Sequence, residues 1–260
     1  MILTSPSLNY TPKKIISLVP SQTELLFYLG LENETIGITK FCIHPEIWFR
    51  TKTRVGGTKT LNIEKIIALE PDLIIANNEE NVKDQVETLA REFPVWVTNV
   101  VNFETSIKMI SDIGQLVGKE EKIKNLILKI KNKFAALESE IAARNISPIR
   151  SAYFIWNNPY MTIGGDTFIN DMMKRCGLKN IFEDEKRYPE VSIEQLKKMD
   201  CTLILLSSEP FPFAEKHIAE LQVELPGVKI LLADGEMFSW YGSRLLEAAT
   251  YFKELIKVVS

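Results

Sequence analysis

The chain has 260 residues, of which 45% are hydrophobic and 25% are charged, values typical of a globular protein with a substantial core. Its net charge of -3 argues against a nucleic-acid partner, and no apolar run approaches the roughly 20 residues that span a bilayer. Three dispersed cysteines without a CxxC pair predict free thiols rather than a disulfide framework or a zinc site.

The first part of the chain alternates short apolar strands with helices. Ser21 is predicted to cap the first helix, with Glu24 completing a capping box, and residues 40–59 are predicted to form a loop. Alternation of this kind predicts a mostly parallel sheet covered on both faces. Strands are predicted at 14–19, 35–39, 73–76 and 95–98, and helices at 22–29, 63–69, 82–92 and 103–117.

A long helix is predicted in the middle of the chain, from Lys119 to Arg144, before the breaker at 145–148. Its apolar residues recur at steps of three and four, which places them on one face. At 1.5 Å per residue the helix would be roughly 39 Å long, more than most single domains need. The apolar face consists of Ile123, Leu126, Ile127, Ile130, Phe134, Leu137 and Ile141.

The second part of the chain repeats the first. Residues 62–75 match residues 192–205 from helix cap to strand, with a constant offset of 192 − 62 = 130. Ser192 is predicted to cap one helix of this part and Asp166 another. Strands are predicted at 151–155, 202–206 and 229–233, and the last two helices at 215–223 and 245–258.

A repeat in the same order predicts two similar lobes. We therefore expect an α/β protein with an N-terminal lobe at 1–118, a bridging helix at 119–145 and a C-terminal lobe at 146–260. Each lobe has a mostly parallel sheet, and a ligand cleft is expected between them.

Aromatic side chains concentrate in the loops that follow the predicted strands, where parallel sheets bind ligands. Such rings suit a large, flat ligand, although about half of them could simply pack under their own loops. The chain has no recognisable catalytic or phosphate-binding motif, so binding is favoured over catalysis. The rings are Phe41, Trp48, Trp156, Tyr160, Tyr188, Phe211, Phe213, Phe238, Trp240 and Tyr241.

The chain has two histidines. Cys42 and His44 could offer two metal ligands, but no third ligand follows from the spacing, so His44 is a weak metal candidate. His217 is predicted to lie in an exposed helix without a functional role.

Several segments resemble the substrate-binding proteins of cobalamin and iron-complex ABC importers, the helical-backbone metal receptor superfamily. They are ISLVPSQTELL at 16–26, VGGT at 55–58, NIEKIIALEPDLIIA at 62–76, CGLKNIF at 176–182 and VSIEQ at 191–195. This resemblance implies a corrinoid or other metal chelate, such as cobalamin, haem or a ferric siderophore, delivered to an ABC permease without catalysis. The cobalt or iron would arrive inside the ligand, and no intrinsic cofactor is implied.

The resemblance also implies roles for particular residues. Phe41, Tyr160 and Tyr188 keep aromatic rings at ligand-facing positions, while Thr58 and Asn77 stand where the enterobacterial cobalamin binder has tryptophan. His44 is an axial metal contact at most, and Trp240 and Tyr241 are candidates for further ligand contacts. Glu64 and Glu194, equivalent in the repeat, match two glutamates that dock onto the permease; their alternative role is to offset a helix dipole.

Two alternatives stay open. The family implies a periplasmic or cell-surface monomer that is not embedded in the membrane, but we expect no export signal at this N-terminus, which lacks a basic segment followed by a continuous apolar run. This leaves a cytoplasmic chelate-binding or salvage protein of the same fold. A weaker alternative is an enzyme that acts on such a chelate with Asp or Glu groups.

Overall fold

The computed structural model describes residues 1–145 and 147–259. They form two compact units. Unit 1 comprises Met1–Val100, Glu104–Lys129 and Tyr241–Arg244, and unit 2 comprises the rest of the described chain. Ile146, the first residue of the predicted C-terminal lobe, lies outside the described residues.

Unit 1 is built on a parallel sheet with the strand order β3-β2-β1-β4-β5. All residues of β1 and β4 are buried, as expected for central strands of a sheet that is covered on both faces. The strands are β1 (Ile15–Ser17), β2 (Thr35–Ile38), β3 (Thr53–Arg54), β4 (Leu73–Asn77) and β5 (Val95–Thr98). The helices are α1 (Pro20–Tyr28), α2 (Glu46–Thr51), α3 (Ile63–Leu69), α4 (Lys83–Ala90) and α5 (Phe103–Leu116), whose first residue belongs to unit 2.

The long central helix, α6 (Glu120–Ala143), is continuous. Its residues up to Lys129 belong to unit 1 and those from Ile130 onward belong to unit 2. The predicted apolar face is confirmed, since Leu126, Ile130 and Phe134 expose at most 1% of their surface. Burial of one such side chain stabilises the fold by about 1.5–3 kcal/mol.

Unit 2 repeats the parallel arrangement with the strand order β7-β6-β8-β9. Its strands are β6 (Ile149–Phe154), β7 (Leu178–Asn180), β8 (Leu203–Ser207) and β9 (Lys229–Ala233). Its helices are α7 (Phe168–Arg175), α8 (Ile193–Lys197), α9 (Glu215–Glu224), α10 (Gly235–Ser239) and α11 (Leu245–Val259).

The internal repeat is visible in both sheets. Strand β4 corresponds to β8 at the predicted offset of 130, and β1 and β6 occupy the same place beside them. The two helices at this offset begin with side-chain caps, because Asn62 accepts from the amide of Lys65 and Ser192 forms a capping box with Gln195. The prediction of an α/β fold with two similar parallel-sheet lobes is confirmed.

Two capping predictions are wrong. Helix α1 begins at Pro20 without a side-chain cap, and proline suits this place because its fixed φ is helical and its missing N–H would be unpaired anyway. Ser21 is buried in the first turn instead. Helix α7 is capped by Thr167, whereas Asp166 accepts a hydrogen bond from the backbone amide of Arg187.

The prediction that residues 40–59 form only a loop is also wrong, since α2 and β3 lie there. Helix α2 has six residues and β3 has two, too few for periodicity to be visible in the sequence. Within the described residues, no helix is long and apolar enough to cross a membrane.

Candidate functional site

Because all strands of unit 1 are parallel, their carboxyl ends lie along one edge of the sheet, and this edge carries buried polar side chains. Thr98, at the end of β5, accepts from Gln22 Nε2 at 2.6 Å and from Asn77 Nδ2 at 3.0 Å, and its hydroxyl donates to the Ala76 carbonyl. Gln22 is 0% exposed and Asn77 2% exposed. Buried hydrogen bonds of this kind fix the positions of the strand ends.

Asn77 also shapes the acidic turn that follows β4. Its Oδ1 accepts from the backbone amides of Glu79 at 2.8 Å and Glu80 at 3.2 Å. Asn81 closes the same loop by bonding to the Asn77 amide and to the Thr58 carbonyl. Asn77 therefore positions the loop that presents Glu79 and Glu80.

Phe41 lies just after β2 and exposes 50% of its surface. The Lys40 ammonium lies 5.2 Å from the centre of its ring. A Cβ at Gly57 would lie only 3.2 Å from both side chains, so the missing side chain leaves room for them. Phe41 thus presents a supported aromatic ring to solvent at the carboxyl edge of unit 1.

The thiol of Cys42 is held in a buried, hydrogen-bonded position. Cys42 is fully buried, and its Sγ lies 3.1 Å from Thr23 Oγ1 and 3.2 Å from Thr39 Oγ1. Burial raises the pKa of the Cys42 thiol, and the hydrogen bonds from Thr23 and Thr39 offset this only in part. His44 is half-buried. No group of three or more His, Cys, Asp and Glu side chains among the described residues could hold a metal ion.

Tyr241 lies in the short C-terminal segment that belongs to unit 1, and it exposes only 7% of its surface. Its hydroxyl hydrogen-bonds with the side chains of Ser21 and Gln22. Burial raises the pKa of Tyr241 well above its ordinary value, and the carboxylates of Glu80 and Glu79 raise it further. The phenol therefore stays protonated and ties this segment to α1.

An ion pair holds the same segment. Arg244 donates to the two carboxylate oxygens of Glu24 at 2.7 and 3.1 Å, and the two side chains are 9% and 18% exposed. Gly242 has φ +111° and a Cβ there would lie 3.2 Å from the Ser21 carbonyl, so the turn between Tyr241 and Arg244 requires glycine. Glu24, predicted to complete a capping box, instead anchors a residue 220 positions away.

In unit 2 the loop after β6 carries two rings. Trp156 is 41% exposed and meets Phe211 edge-on at 5.7 Å between ring centres. Tyr160 stacks on Phe154 at 5.2 Å, and its pKa is raised by burial and then by the Glu220 carboxylate. This edge therefore offers one exposed and one half-buried ring.

Tyr188 is half-buried, and the guanidinium of Arg187 lies 5.3 Å from its ring centre. Its loop connects to the Tyr160 loop, because Val191 donates its amide to the Tyr160 carbonyl at 2.9 Å. The structure thus brings the loops of two predicted ligand-binding tyrosines together in unit 2.

Trp240 and Glu209 form a second group in unit 2. Trp240 is 6% exposed and donates from Nε1 to Glu209 Oε1 at 3.0 Å, and Ser239 Oγ donates to the same oxygen at 2.6 Å. Burial raises the pKa of Glu209, and the carboxylates of Glu236 and Asp234 add to this, against the two hydrogen bonds. Glu209 is not among the predicted site residues. The sequence feature that could have indicated it is its position, two residues after a buried strand.

Other aromatic residues predicted near the ligand are part of the core. Trp48 and Phe238 are 0% exposed, and Phe213 is 6% exposed. His217 is wrongly predicted as exposed: its ring packs edge-on against Phe211 and Phe213, and its Nδ1 accepts from the Ala214 amide. His217 is a structural residue of α9.

Glu64 and Glu194 occupy the same place in the two units. Each is the second residue of a helix, α3 or α8, and each is exposed. A carboxylate in the first turn of a helix offsets the positive end of its dipole, and this stabilises the helix by about 0.3–1 kcal/mol. Their exposure leaves both carboxylates accessible to a partner.

Comparison with known proteins gives one family match, to a periplasmic binding protein family, over residues 15–223. An uncharacterized ABC transporter substrate-binding lipoprotein of Bacillus subtilis is 29% identical over 198 residues, which cover 73% of this chain and 62% of that protein. The match thus spans less than two thirds of that relative. A vitamin B12-binding protein of Vibrio vulnificus is 28% identical over 199 residues, 75% of this chain and 72% of that protein.

Several solved structures share the fold. The periplasmic vitamin B12 binding protein of Vibrio cholerae has a TM-score of 0.81 at 24% identity and covers 95% of this chain and 98% of its own. A periplasmic heme-binding protein from Roseiflexus has a TM-score of 0.84 at 18% identity, with the same coverage. At these identities the likeness establishes the architecture alone.

Proposed function

Because the chain belongs to the periplasmic binding protein family, we propose that it binds a metal chelate of the corrinoid or haem type and delivers it to an ABC importer without transforming it. Two relatives are named for vitamin B12 and heme, both flat metal macrocycles. The observation that carries the proposal is Phe41, an aromatic ring half exposed at the carboxyl edge of a parallel sheet.

The ligand contacts are assigned to the rings at the carboxyl edges of the two sheets. Phe41 acts in unit 1, and Tyr160 and Tyr188 act in unit 2. Trp240 and Tyr241 have little exposed surface, so their contribution is to hold Glu209 and Ser21 in place through hydrogen bonds.

Binding is tested by titrating the protein with cobinamide, cobalamin, haemin and a ferric hydroxamate. Visible absorbance reports the environment of the metal, and the melting temperature reports affinity, because a ligand that binds only the folded state stabilises it. We expect saturable binding of cobinamide, cobalamin or haemin with recovery of the ligand unchanged. Failure of all three macrocycles to bind, even if the ferric hydroxamate binds, would refute the ligand class.

His44 is the candidate for any protein bond to the chelate's metal, since His217 is buried among aromatic rings. The test compares the visible spectrum of the bound chelate in wild type and in His44→Ala. A shifted metal band in the variant supports ligation, whereas an unchanged spectrum limits His44 to a supporting role.

Delivery to the permease is assigned to Glu64 and Glu194, one exposed carboxylate in each unit. Changing both to alanine should abolish uptake in cells while chelate binding by the purified protein stays within twofold of wild type. The matched control is Glu87→Ala with Glu224→Ala, two exposed glutamates in surface ion pairs. Loss of uptake in the control as well would refute the specific role.

The proposed location is the periplasm or the outer face of the cell membrane. The support is the family and the lipoprotein named among the relatives. Fractionation of cells that make the native gene product tests this, and recovery only from the cytoplasm would contradict it.

A further inference from the structure

Strand β9 forms one edge of the sheet in unit 2. Toward β8, Lys229 donates to the Thr202 carbonyl at 3.0 Å and Ser208 donates to the Ala233 carbonyl at 2.9 Å. In a parallel strand, successive residues direct their backbone N–H and C=O groups to opposite sides, so residues 229, 231 and 233 form their hydrogen bonds with β8. The N–H and C=O groups of Ile230 and Leu232 therefore point away from the sheet, where no described strand pairs with them.

The equivalent edge of unit 1 is covered. Val95 of β5 donates to the Met1 carbonyl and accepts from the Leu3 amide, each at 2.9 Å, so residues 1–3 add to this edge as a parallel segment. Ile74 pairs with Val95 and Ile204 pairs with Ile230, and 204 − 74 = 130 is the offset of the repeat. Ile230 is thus the counterpart of Val95, and it lacks the segment that Val95 has.

A groove of about 550 Å³ runs beside the free edge of β9, between α9 and α11. Its lining is mostly aliphatic, including Ile218, Leu255 and Val258. Leu232 is 39% exposed and Val258 56% exposed. The groove therefore combines free backbone groups with apolar surface, the two features that an added strand uses.

The charged residues that line this groove are both acidic. Glu215 is exposed at the start of α9, and Glu254 on α11 is paired with Lys257 at 2.7 Å. An occupant with a basic residue beside its aliphatic part would complement Glu215. In unit 1 the occupant is the aliphatic sequence Met1-Ile2-Leu3, so the fold itself provides an example of an aliphatic segment on this kind of edge.

We propose that the groove beside β9 docks an extended aliphatic segment of a partner polypeptide with a basic flank, which pairs with Ile230 and Leu232 as a parallel strand. The backbone pairing gives affinity, and the aliphatic lining together with Glu215 selects the sequence. None of the residues that line this groove is an aromatic ring assigned to the chelate.

The probe is the capped hexapeptide Ac-Lys-Leu-Ile-Val-Thr-Lys-NH2, titrated into the isotope-labelled full chain and followed by NMR. We expect shift changes and slowed hydrogen exchange at the amides of Ile230 and Leu232. A peptide of the same sequence with N-methyl groups at its pairing amides should bind at least tenfold more weakly, because it cannot donate to β9. Replacing both lysines of the peptide by glutamate should also weaken binding.

The protein variant is Leu232→Lys, which places a charge in the groove and should weaken peptide binding about tenfold. The matched control is Val223→Lys, 80% exposed on α9 and outside the groove lining, which should bind like wild type. Equal binding of the N-methylated peptide, or shift changes confined to other surfaces, would overturn the proposal. Protection of Ile230 and Leu232 by raising the protein concentration alone would also overturn it, since the occupant would then be a second copy.

Discussion

Replacing Phe41 by alanine tests the proposed binding edge most directly. The ring exposes 50% of its surface, and a phenylalanine side chain has about 200 Å², so about 100 Å² is available to a ligand. At about 25 cal/mol per Å², covering all of it would contribute about 2.5 kcal/mol, and covering one face of the ring about half of that.

These limits correspond to a loss of affinity between about eightfold and about 60-fold. The assay is an absorbance titration with whichever of cobinamide, cobalamin or haemin the wild type binds. The fold should be little affected, because the substituted ring is half exposed. A matched urea denaturation checks this by giving the free energy of unfolding of both proteins.

The control is Phe27→Ala. Phe27 is 41% exposed in unit 1 and meets Trp48 edge-on at 5.3 Å, so its loss should lower the free energy of unfolding by about 1 kcal/mol without changing ligand affinity. If Phe41→Ala binds within twofold of wild type, or if both variants lose affinity equally, the assignment of this edge to the ligand is refuted.

Three further substitutions test an ion pair, a buried carboxylate and a helix cap in the two units. Glu24→Gln removes the negative charge from the largely buried pair with Arg244, and should lower the free energy of unfolding by about 3 kcal/mol in urea denaturation. Glu209→Gln keeps an acceptor for Ser239 and Trp240 but cannot ionise. Because burial raises the folded-state pKa of Glu209 above its ordinary 4.5, wild-type stability falls as pH rises from about 4.5 through that raised value, and the variant should lack this fall. Asn62→Ala removes the cap of α3 and should cost about 1 kcal/mol.

Each of these changes has an outcome that would contradict its reasoning. Arg50→Gln removes an exposed ion pair and should change the free energy of unfolding by less than about 0.5 kcal/mol. If its effect is as large as that of Glu24→Gln, burial is not what makes the Glu24–Arg244 pair important for stability. A stability profile of Glu209→Gln parallel to wild type between pH 4 and 7 would deny the raised pKa of Glu209. Unchanged stability of Asn62→Ala would show that packing alone positions α3.

Much of the fold follows from local features of the sequence. The buried face of α6 is visible in the spacing of apolar residues, and β4 and β8 are visible as short apolar runs. The caps Asn62 and Ser192 bond to amides three residues away, so the sequence places both partners together. Periodicity and capping depend on residues close together in the chain, so each helix and strand can be predicted locally. The same order of elements then recurs 130 residues later, and this predicts the two parallel sheets.

The site is less predictable because its contacts join distant parts of the chain. Glu24 pairs with Arg244 across 220 residues and Trp240 donates to Glu209 across 31, so both bonds depend on which segments pack together. The predicted ligand-binding rings also differ in exposure: Phe41 is half exposed, whereas Trp240 and Tyr241 are buried. The sequence by itself determines two similar parallel-sheet lobes and the loops that follow their strands; only the tertiary structure decides which side chains of those loops reach solvent, because that depends on packing against residues far away in the chain.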